Sequence, residues 1–227
     1  MKKEEYKKAK TISISAVIPI KFNSTRCPEK NYRFFSNSSL IDICVDKLRD
    51  LPFIDEIVIS IDDKRLAPIL EHLNNVRIVL RDDSLCDPMV PMNLIYSHLA
   101  EICINEHIVY TSCTTPLIQI NHYKEGYEKW ARNNFTGSVH TVSQLKDFLL
   151  KEGTPLNFDK RHFPRSQDLP DLKKLVYGFA YITKNEFLKG SSLAQTNCGY
   201  INIPFPFEID IDTELDFKAA QLLYEKV

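Results

Sequence analysis

The six cysteines of this chain (27, 44, 86, 103, 113 and 198) include no CxxC pair, so the spacing of a dithiol redox or zinc-ribbon motif is missing. Several sit among apolar residues, the setting of reduced, buried thiols in a cytoplasmic protein. No apolar run approaches the length of a membrane span, and Met1-Lys2-Lys3-Glu4-Glu5 lacks the apolar stretch of a secretory signal. Neither charge is in excess: 29 Lys and Arg stand against 30 Asp and Glu, a net −1. That balance argues against a generic nucleic-acid or membrane-surface binder and leaves room only for a local basic cluster. There are no repeats, low-complexity tracts or disordered linkers. What remains is ordinary for a protein with a real core: 227 residues, 44% hydrophobic and 26% charged. The expectation is a soluble, cytoplasmic protein of one domain, 1–227.

Apolar periodicity supplies the order of elements. Ile12 to Ile20 is a continuous Ile- and Val-rich run, the mark of a strand buried on both faces. Leu40, Ile41, Cys44, Val45 and Leu48 recur at helical spacing before Pro52. Ile54 to Ile61 reads as a second strand, followed by an amphipathic helix around Leu66 to Leu73. Val76 to Leu80 reads as a strand, Asn93 to Ile104 as a helix and His107 to Thr111 as a further strand. This alternation predicts a twisted, mainly parallel sheet flanked by helices. Beyond Trp130 the pattern weakens. Gly137 to Leu145 is strand-like, Gly153 to Pro170 is polar and basic with prolines at 155, 164 and 170, and Val176 to Thr183 is a strand again. An insert or flap over about 140–175 follows from this, then a strand over Ile203 to Ile211 and a helix from about Glu214.

Two constellations carry chemistry. In Glu208-Ile209-Asp210-Ile211-Asp212 apolar and acidic residues alternate, so in a strand both aspartates point to one face. Paired oxygen ligands of this kind suit Mg2+, which takes one or two protein carboxylates plus substrate phosphates. The same run also reads as a solvated acidic turn with Asp212 or Thr213 capping the next helix. The second constellation directly follows the first strand, where the sheet of an α/β protein binds ligands. Lys21, Arg26 and Lys30 are interleaved there with Asn23, Ser24, Thr25 and Asn31. Three cations at a turn can neutralise charge on a leaving pyrophosphate. The loop has no glycine and no Gly-Lys-Ser/Thr ending, so it is not a Walker loop. A solvated basic loop is the alternative.

In this register Pro19, Ser24, Arg26, Pro28, Lys30 and Asn31 resemble the N-terminal signature of the sugar-activating cytidylyltransferases, the acylneuraminate (CMP-sialic acid) and CMP-Kdo synthetases. Lys21 stands where that family has an arginine. Asp210-Ile211-Asp212, followed by Thr213, Glu214 and Asp216, is similar to the family's C-terminal magnesium motif. Between them, in order, Ser60–Asp63, Arg81–Leu85, Thr114–Leu117 and Arg165–Pro170 resemble weaker family elements, so the likeness spans nearly the whole chain. The resemblance implies a Rossmann-like nucleotidyltransferase fold, CTP as donor, an acidic sugar as acceptor, Mg2+ as cofactor, and a homodimer built partly by the insert. It implies Asp210 and Asp212 as metal ligands that also orient the attacking hydroxyl. Lys21, Arg26 and Lys30 would hold the triphosphate, with Lys30 stabilising the transition state. Ser24 and Asn31 would donate to phosphate oxygens, Asn23 would line the nucleotide, and Arg81 would contact it. Arg165, Gln167 and Tyr177 would lie on the sugar side.

Two departures fall on that sugar side: Ser112 precedes Cys113 where sialic acid synthetases have a Gln, and Tyr177 precedes Gly178 where the family has Asn. A polar residue exchanged for a non-isostere shifts specificity, so an acidic sugar other than N-acylneuraminate is expected. His140 and His162 lack ligand-spaced companions and read as structural or solvated. Cys113 has no neighbouring histidine to activate it. Phe205 and Phe207 read as packing under the sheet or at a dimer contact. Lys160, Arg161 and Arg165 form a basic flap that either meets the acidic sugar or is simply solvated. Two other classes stay open: a nucleotidyltransferase with another NTP or a polyol or sugar-phosphate acceptor, and a non-catalytic binding homologue.

Overall fold

The apolar run after residue 12 forms β1 (Ile14–Ile20), a central strand of a seven-stranded sheet in the computed structural model, which describes residues 12–189 and 198–226. Met1–Glu5, the basis for expecting no secretory signal, lie outside the described residues. β1 is apolar throughout because both its faces are covered. Ile14, Ala16, Ile18 and Ile20 join one buried cluster, while Val17 joins a second on the opposite face.

A short hairpin, β2 (Phe34–Phe35) and β3 (Ser38–Ser39), leads into α1 (Leu40–Arg49). Ser39 caps that helix by accepting from Asp42 N at 3.3 Å, and Leu40, Ile41, Cys44, Val45 and Leu48 face the core. Next come β4 (Ile54–Ile61), a single turn α2 (Leu66–Ile69), β5 (Arg77–Leu80), α3 (Met92–Glu101), β6 (His107–Thr111) and α4 (Ile120–Arg132). β7 (Ser138–Leu145) precedes the insert, whose small hairpin is β8 (Leu150–Lys151) with β9 (Thr154–Pro155). β10 (Leu172–Thr183), α5 (Lys184–Leu188), β11 (Cys198–Asn202) and α6 (Glu214–Tyr224) complete the order.

The sheet runs β11-β7-β10-β6-β1-β4-β5. β1 pairs in parallel with β4 and β6, and β5 and β11 extend the parallel edges. β10 alone among the described strands of this sheet runs antiparallel, against both β6 and β7. The fold is therefore the Rossmann-like arrangement expected: mainly parallel, helix-flanked, with an excursion between β7 and β10. The strand order reverses beside β1, which opens a crevice at the carboxyl ends of β1, β4 and β6.

Several boundaries differ from the sequence reading. α2 ends at Ile69 rather than about Leu73, and the apolar residues beyond it continue as turns. α4 was not legible as a helix, because its buried face is Tyr123, Gly126, Tyr127 and Trp130 rather than aliphatic. Those rings stack on sheet aromatics instead, Tyr123 on Phe179 at 4.3 Å and Tyr127 on Phe53 at 4.0 Å between centroids. The strand expected over Ile203 to Ile211 is absent: pairing ends at β11, five residues of which only Ile201 is fully buried. Pro204 and Pro206 follow directly, and neither can donate to a ladder. Within the insert Phe148, Phe158 and Phe163 pack on one another, with centroids 4.6–5.2 Å apart.

Candidate functional site

Three segments meet at the carboxyl ends of β1 and β6: residues 21–31 after β1, 112–119 after β6, and 208–213 before α6. Ile211 N donates to Thr114 O at 2.8 Å, Thr114 Oγ1 donates to Asp210 Oδ1 at 2.5 Å, and Lys30 Nζ donates to Ile211 O. Ile211 is fully buried and Ile209 packs on the same core. The acidic–apolar alternation thus survives without a ladder, and the carboxylates of Asp210 and Asp212 lie on the side away from the core.

The basic loop comes to the second of these acids. Arg26 reaches Asp212 at 3.1 Å and Lys30 at 3.4 Å. Lys30 is the better fixed, its side chain only 13% exposed, whereas Arg26 is on the surface, where an ion pair is worth little. Asp210 is in the opposite position. Burial pushes its carboxyl above the usual range, the charges of Asp212 and Asp216 act in the same direction, and Thr114 and Lys30 offset this only in part. A pair of carboxylates short of positive charge on the Asp210 side is a chemical fit for a small hard cation. Among the described residues no group of three or more Asp, Glu, His or Cys converges as a metal cage. A cation here would therefore keep most of its shell for other oxygen ligands.

The helix-cap reading of the same run also holds. Thr213 caps α6, accepting from Asp216 N at 3.3 Å, and Asp216 accepts from Thr213 N and Oγ1, both at 2.8 Å, and from Asp212 N at 3.2 Å. These bonds hold the Asp216 carboxyl below its ordinary range and occupy it. Arg33 pins the far side, forking onto Glu214 at 2.7 and 2.9 Å and lying over the Phe217 ring.

Asn31 sits differently from the phosphate donor read in the sequence. It is buried; its amide donates to Lys21 O at 2.8 Å, its carbonyl oxygen accepts from Cys113 Sγ at 3.3 Å, and its backbone carbonyl receives Ile41 N. It closes the loop and ties it to α1. The same bond, together with complete burial that raises its thiol far above the usual range, makes Cys113 a packing residue. Lys21 and Asn23 are exposed on the loop and Ser24 is half-buried. Phe22 N donates to Asp62 Oδ1 at 2.7 Å, anchoring the loop to the end of β4.

Arg81 is almost wholly buried. One terminal nitrogen donates to Ile20 O and lies 3.5 Å from Ser60 O, tying β1 to β4, while its Nε has no hydrogen-bond partner. Arg81 also lines a cavity of about 170 Å3 with Pro19, Lys21, Leu85, Val90 and Ile95. A second cavity, about 440 Å3, opens beside Asp210 and includes Tyr177. Arg165 and Gln167 stand elsewhere, exposed on the insert, with Arg165 forked onto Asp168 at 2.7 and 3.1 Å; neither lines that cavity. Arg161 likewise pairs with its neighbour Asp159, at 3.6 Å. Phe207 packs on the core against His122, but Phe205 is exposed at the cavity mouth. A larger cavity of about 880 Å3 lies at the other end of the sheet, by the starts of β7 and β11, and contains none of these residues. Thr114, Lys174 and Glu208 surround the acidic pair without a role having been read for them in the sequence: Thr114 lay in a weak motif, Glu208 opened the acidic run, and Lys174 carried no signal.

A profile of the family described as Cytidylyltransferase matches residues 15–179. Two curated relatives, each named pseudaminic acid cytidylyltransferase, come from Campylobacter jejuni subsp. jejuni serotypes O:23/36 and O:2. Each is 26% identical over 220 residues, covering 92% of this chain and 95% of the relative. A solved structure of CMP:2-keto-3-deoxy-manno-octonic acid synthetase complexed with CTP has a TM-score of 0.71 at 11% identity, covering 94% of this chain and 99% of that one. A 4-diphosphocytidyl-2C-methyl-D-erythritol synthase from Anaerococcus prevotii reaches 0.66 at 14%, with the same coverage. At such identities these two structures share the fold.

Proposed function

The chain belongs to the cytidylyltransferase family, and from that membership we propose that it transfers the cytidylyl group of CTP to the hydroxyl of an acidic sugar of the nonulosonic or 2-keto-3-deoxy class. The products are pyrophosphate and a CMP-sugar for surface polysaccharide synthesis. One observation carries the reading: the cations Lys30 and Arg26 and the carboxylates Asp210 and Asp212 converge where β1 and β6 end. Nucleotidyl transfer asks for little beyond positioning and charge neutralisation, and this cluster offers both.

In this reading Lys21, Arg26 and Lys30 hold the triphosphate, with Asn23 and Ser24 lining it. The base enters the cavity of about 170 Å3 beside Arg81, whose unpartnered Nε supports a polar contact there. Asp210 and Asp212 would hold Mg2+, which supplies charge neutralisation at the phosphates. Asp210, fixed by Thr114, also orients the acceptor hydroxyl for in-line attack on the α-phosphorus. The new O–P bond forms as the bond to the bridging oxygen breaks, and Lys30 stabilises the charge on the departing pyrophosphate. Asn31 acts through loop shape alone.

The enzyme works in the cytoplasm, a reading supported by the buried thiols of Cys27, Cys44, Cys103 and Cys113. Among the described residues no helix is long and apolar enough to cross a membrane. It pairs as a homodimer through the insert, whose aromatic cluster leaves Phe163, Leu150 and Leu156 largely exposed. The test is pyrophosphate release with CTP, an acid sugar and Mg2+. Asp210→Ala and Asp212→Ala should each abolish metal-dependent turnover while far-ultraviolet ellipticity stays unchanged. Unaltered turnover in both would refute the assignment.

A further inference from the structure

The segment that supports Asp210 is held from behind by a side chain far from the reacting atoms. Thr114 fixes Asp210 Oδ1 through its hydroxyl and the Ile211 amide through its carbonyl, so the placement of this carboxylate depends on where residues 112–119 lie. That segment is neither helix nor strand, and its carbonyls must find donors one at a time. Thr114 O accepts from Ile211 N, Thr115 O from Ile118 N, Leu117 O from Gln119 Nε2 and Gln119 O from His122 N. Pro116 O and Ile118 O both accept from Lys47 Nζ, the second at 2.7 Å.

Lys47 lies in the last turn of α1, where the helix dipole favours a cation. Among the described residues no carboxylate pairs with it. Burial lowers its pKa to about 8, which leaves the amine largely protonated at neutral pH. An ammonium offers three donors from one point, so this single side chain gathers two carbonyls that lie two residues apart. Bonds to a charged donor are about twice as strong as neutral ones. The ends of the segment are tied separately, Ser112 N to Gly178 O at 2.9 Å and Gln119 N to His122 Nδ1 at 3.0 Å. Lys47 is what joins the stretch from Pro116 to Ile118 to α1.

Resting on the cytidylyltransfer reading above, we propose that Lys47 is a positioning residue for the reaction: its ammonium clamps Pro116 O and Ile118 O, sets Thr114, and through Thr114 holds Asp210 in place. Lys47 touches neither substrate. Once the clamp is lost, the segment shifts and Asp210 shifts with it, and a misplacement of about 1 Å costs an aligned attack about 100-fold. Nucleotide binding suffers less, because Lys21, Arg26, Lys30 and Arg81 stand on other segments.

Two readouts test this with the full chain. Lys47→Met keeps the apolar stem and removes the donors, whereas Lys47→Arg keeps both charge and donors; Lys47→Gln takes the place of Lys47→Met should that variant not fold. The first readout is pyrophosphate release with CTP, Mg2+ and whichever of pseudaminic, N-acetylneuraminic or 3-deoxy-manno-octulosonic acid the wild type accepts. Lys47→Met should lower kcat at least about tenfold with a smaller change in the KM for CTP, and Lys47→Arg should recover most of that loss. A wild-type kcat in Lys47→Met, a loss confined to the KM for CTP, or an arginine variant no better than the methionine one would overturn the proposal. The second readout needs no turnover: amide hydrogen exchange at Ile211, followed by NMR. Because Thr114 O holds this N–H, it should exchange at least about tenfold faster in Lys47→Met, and near the wild-type rate in Lys47→Arg, while the amides of β4 stay protected. Unchanged exchange at Ile211, or an equal rise in β4, would overturn the clamp. If the wild type turns over none of these sugars with CTP, the cytidylyltransfer reading fails, and exchange at Ile211 alone decides the clamp.

Discussion

His140 gives the sharpest test of how the sheet is packed. It lies in the middle of β7, 1% exposed, with Nε2 placed 2.8 Å from Ser138 Oγ on the same face of the strand. Desolvation alone lowers its pKa from 6.5 to about 4, because nothing buried beside it repays the imidazolium. The sign follows from proton counting. Between those two values the unfolded chain binds a proton that the folded one refuses, so stability falls as pH drops from 6.5 towards 4 and is untouched above about 7. At about 1.4 kcal/mol per pH unit, the loss attributable to this residue is about 2 kcal/mol at pH 5. His140→Gln keeps a polar group near Ser138 and cannot titrate. Urea unfolding of both proteins, followed by ellipticity at pH 7, 6 and 5, isolates the effect, since every carboxylate is common to the two. The difference between the two proteins should narrow or reverse by about 2 kcal/mol from pH 7 to pH 5. Parallel pH dependences would show that His140 is solvated in the native state and that the packing around β7 is wrong.

Three further outcomes are expected. A Cβ at Gly178 would overlap Ile118 Cδ1 and come within 3.1 Å of Thr141 Oγ1, so Gly178→Ala should cost about 1–3 kcal/mol. Adding Ile118→Val removes the clashing carbon, and additivity of the two changes in a thermal-unfolding cycle would contradict the geometry. Lys30→Met should reduce kcat by about 100-fold or more with a smaller change in the KM for CTP, measured by steady-state pyrophosphate release; a pure KM effect would remove it from the transition state. Arg81→Leu should leave both β1 and β4 carbonyl partners unmet, lowering the unfolding midpoint and CTP affinity together, which calorimetry of binding and unfolding would resolve.

The outline of the fold was legible where burial on two faces writes continuous apolar runs, as in β1, β4 (Ile54–Ile61) and β6 (His107–Thr111). It was lost where burial is aromatic or interrupted. The inner face of α4 is built of rings, and the 203–211 segment reads as strand from its alternation although its prolines deny it a ladder and residues 205–208 fold into turns. Long-range partners were legible in part. Opposite charge at two loop ends pointed to Lys30, Arg26 and Asp212, and the coordinates bring them together across more than 180 residues of chain. Asn31 could not be sorted in advance, because a buried amide that closes a loop and an exposed one that meets a phosphate leave the same residue in the same register. The pairing of Glu208, visible only as the start of the acidic run, with Lys174 could not be read for the converse reason: both line a cavity formed by β10 and the approach to α6, and neither segment encodes it alone.

Donor choice tests the account most directly. Pyrophosphate release by the wild type, with Mg2+ and pseudaminic or N-acetylneuraminic acid, is to be measured with each of the four nucleoside triphosphates in turn. Turnover with CTP, and little or none with the others, is the result predicted; turnover with UTP and none with CTP would contradict it.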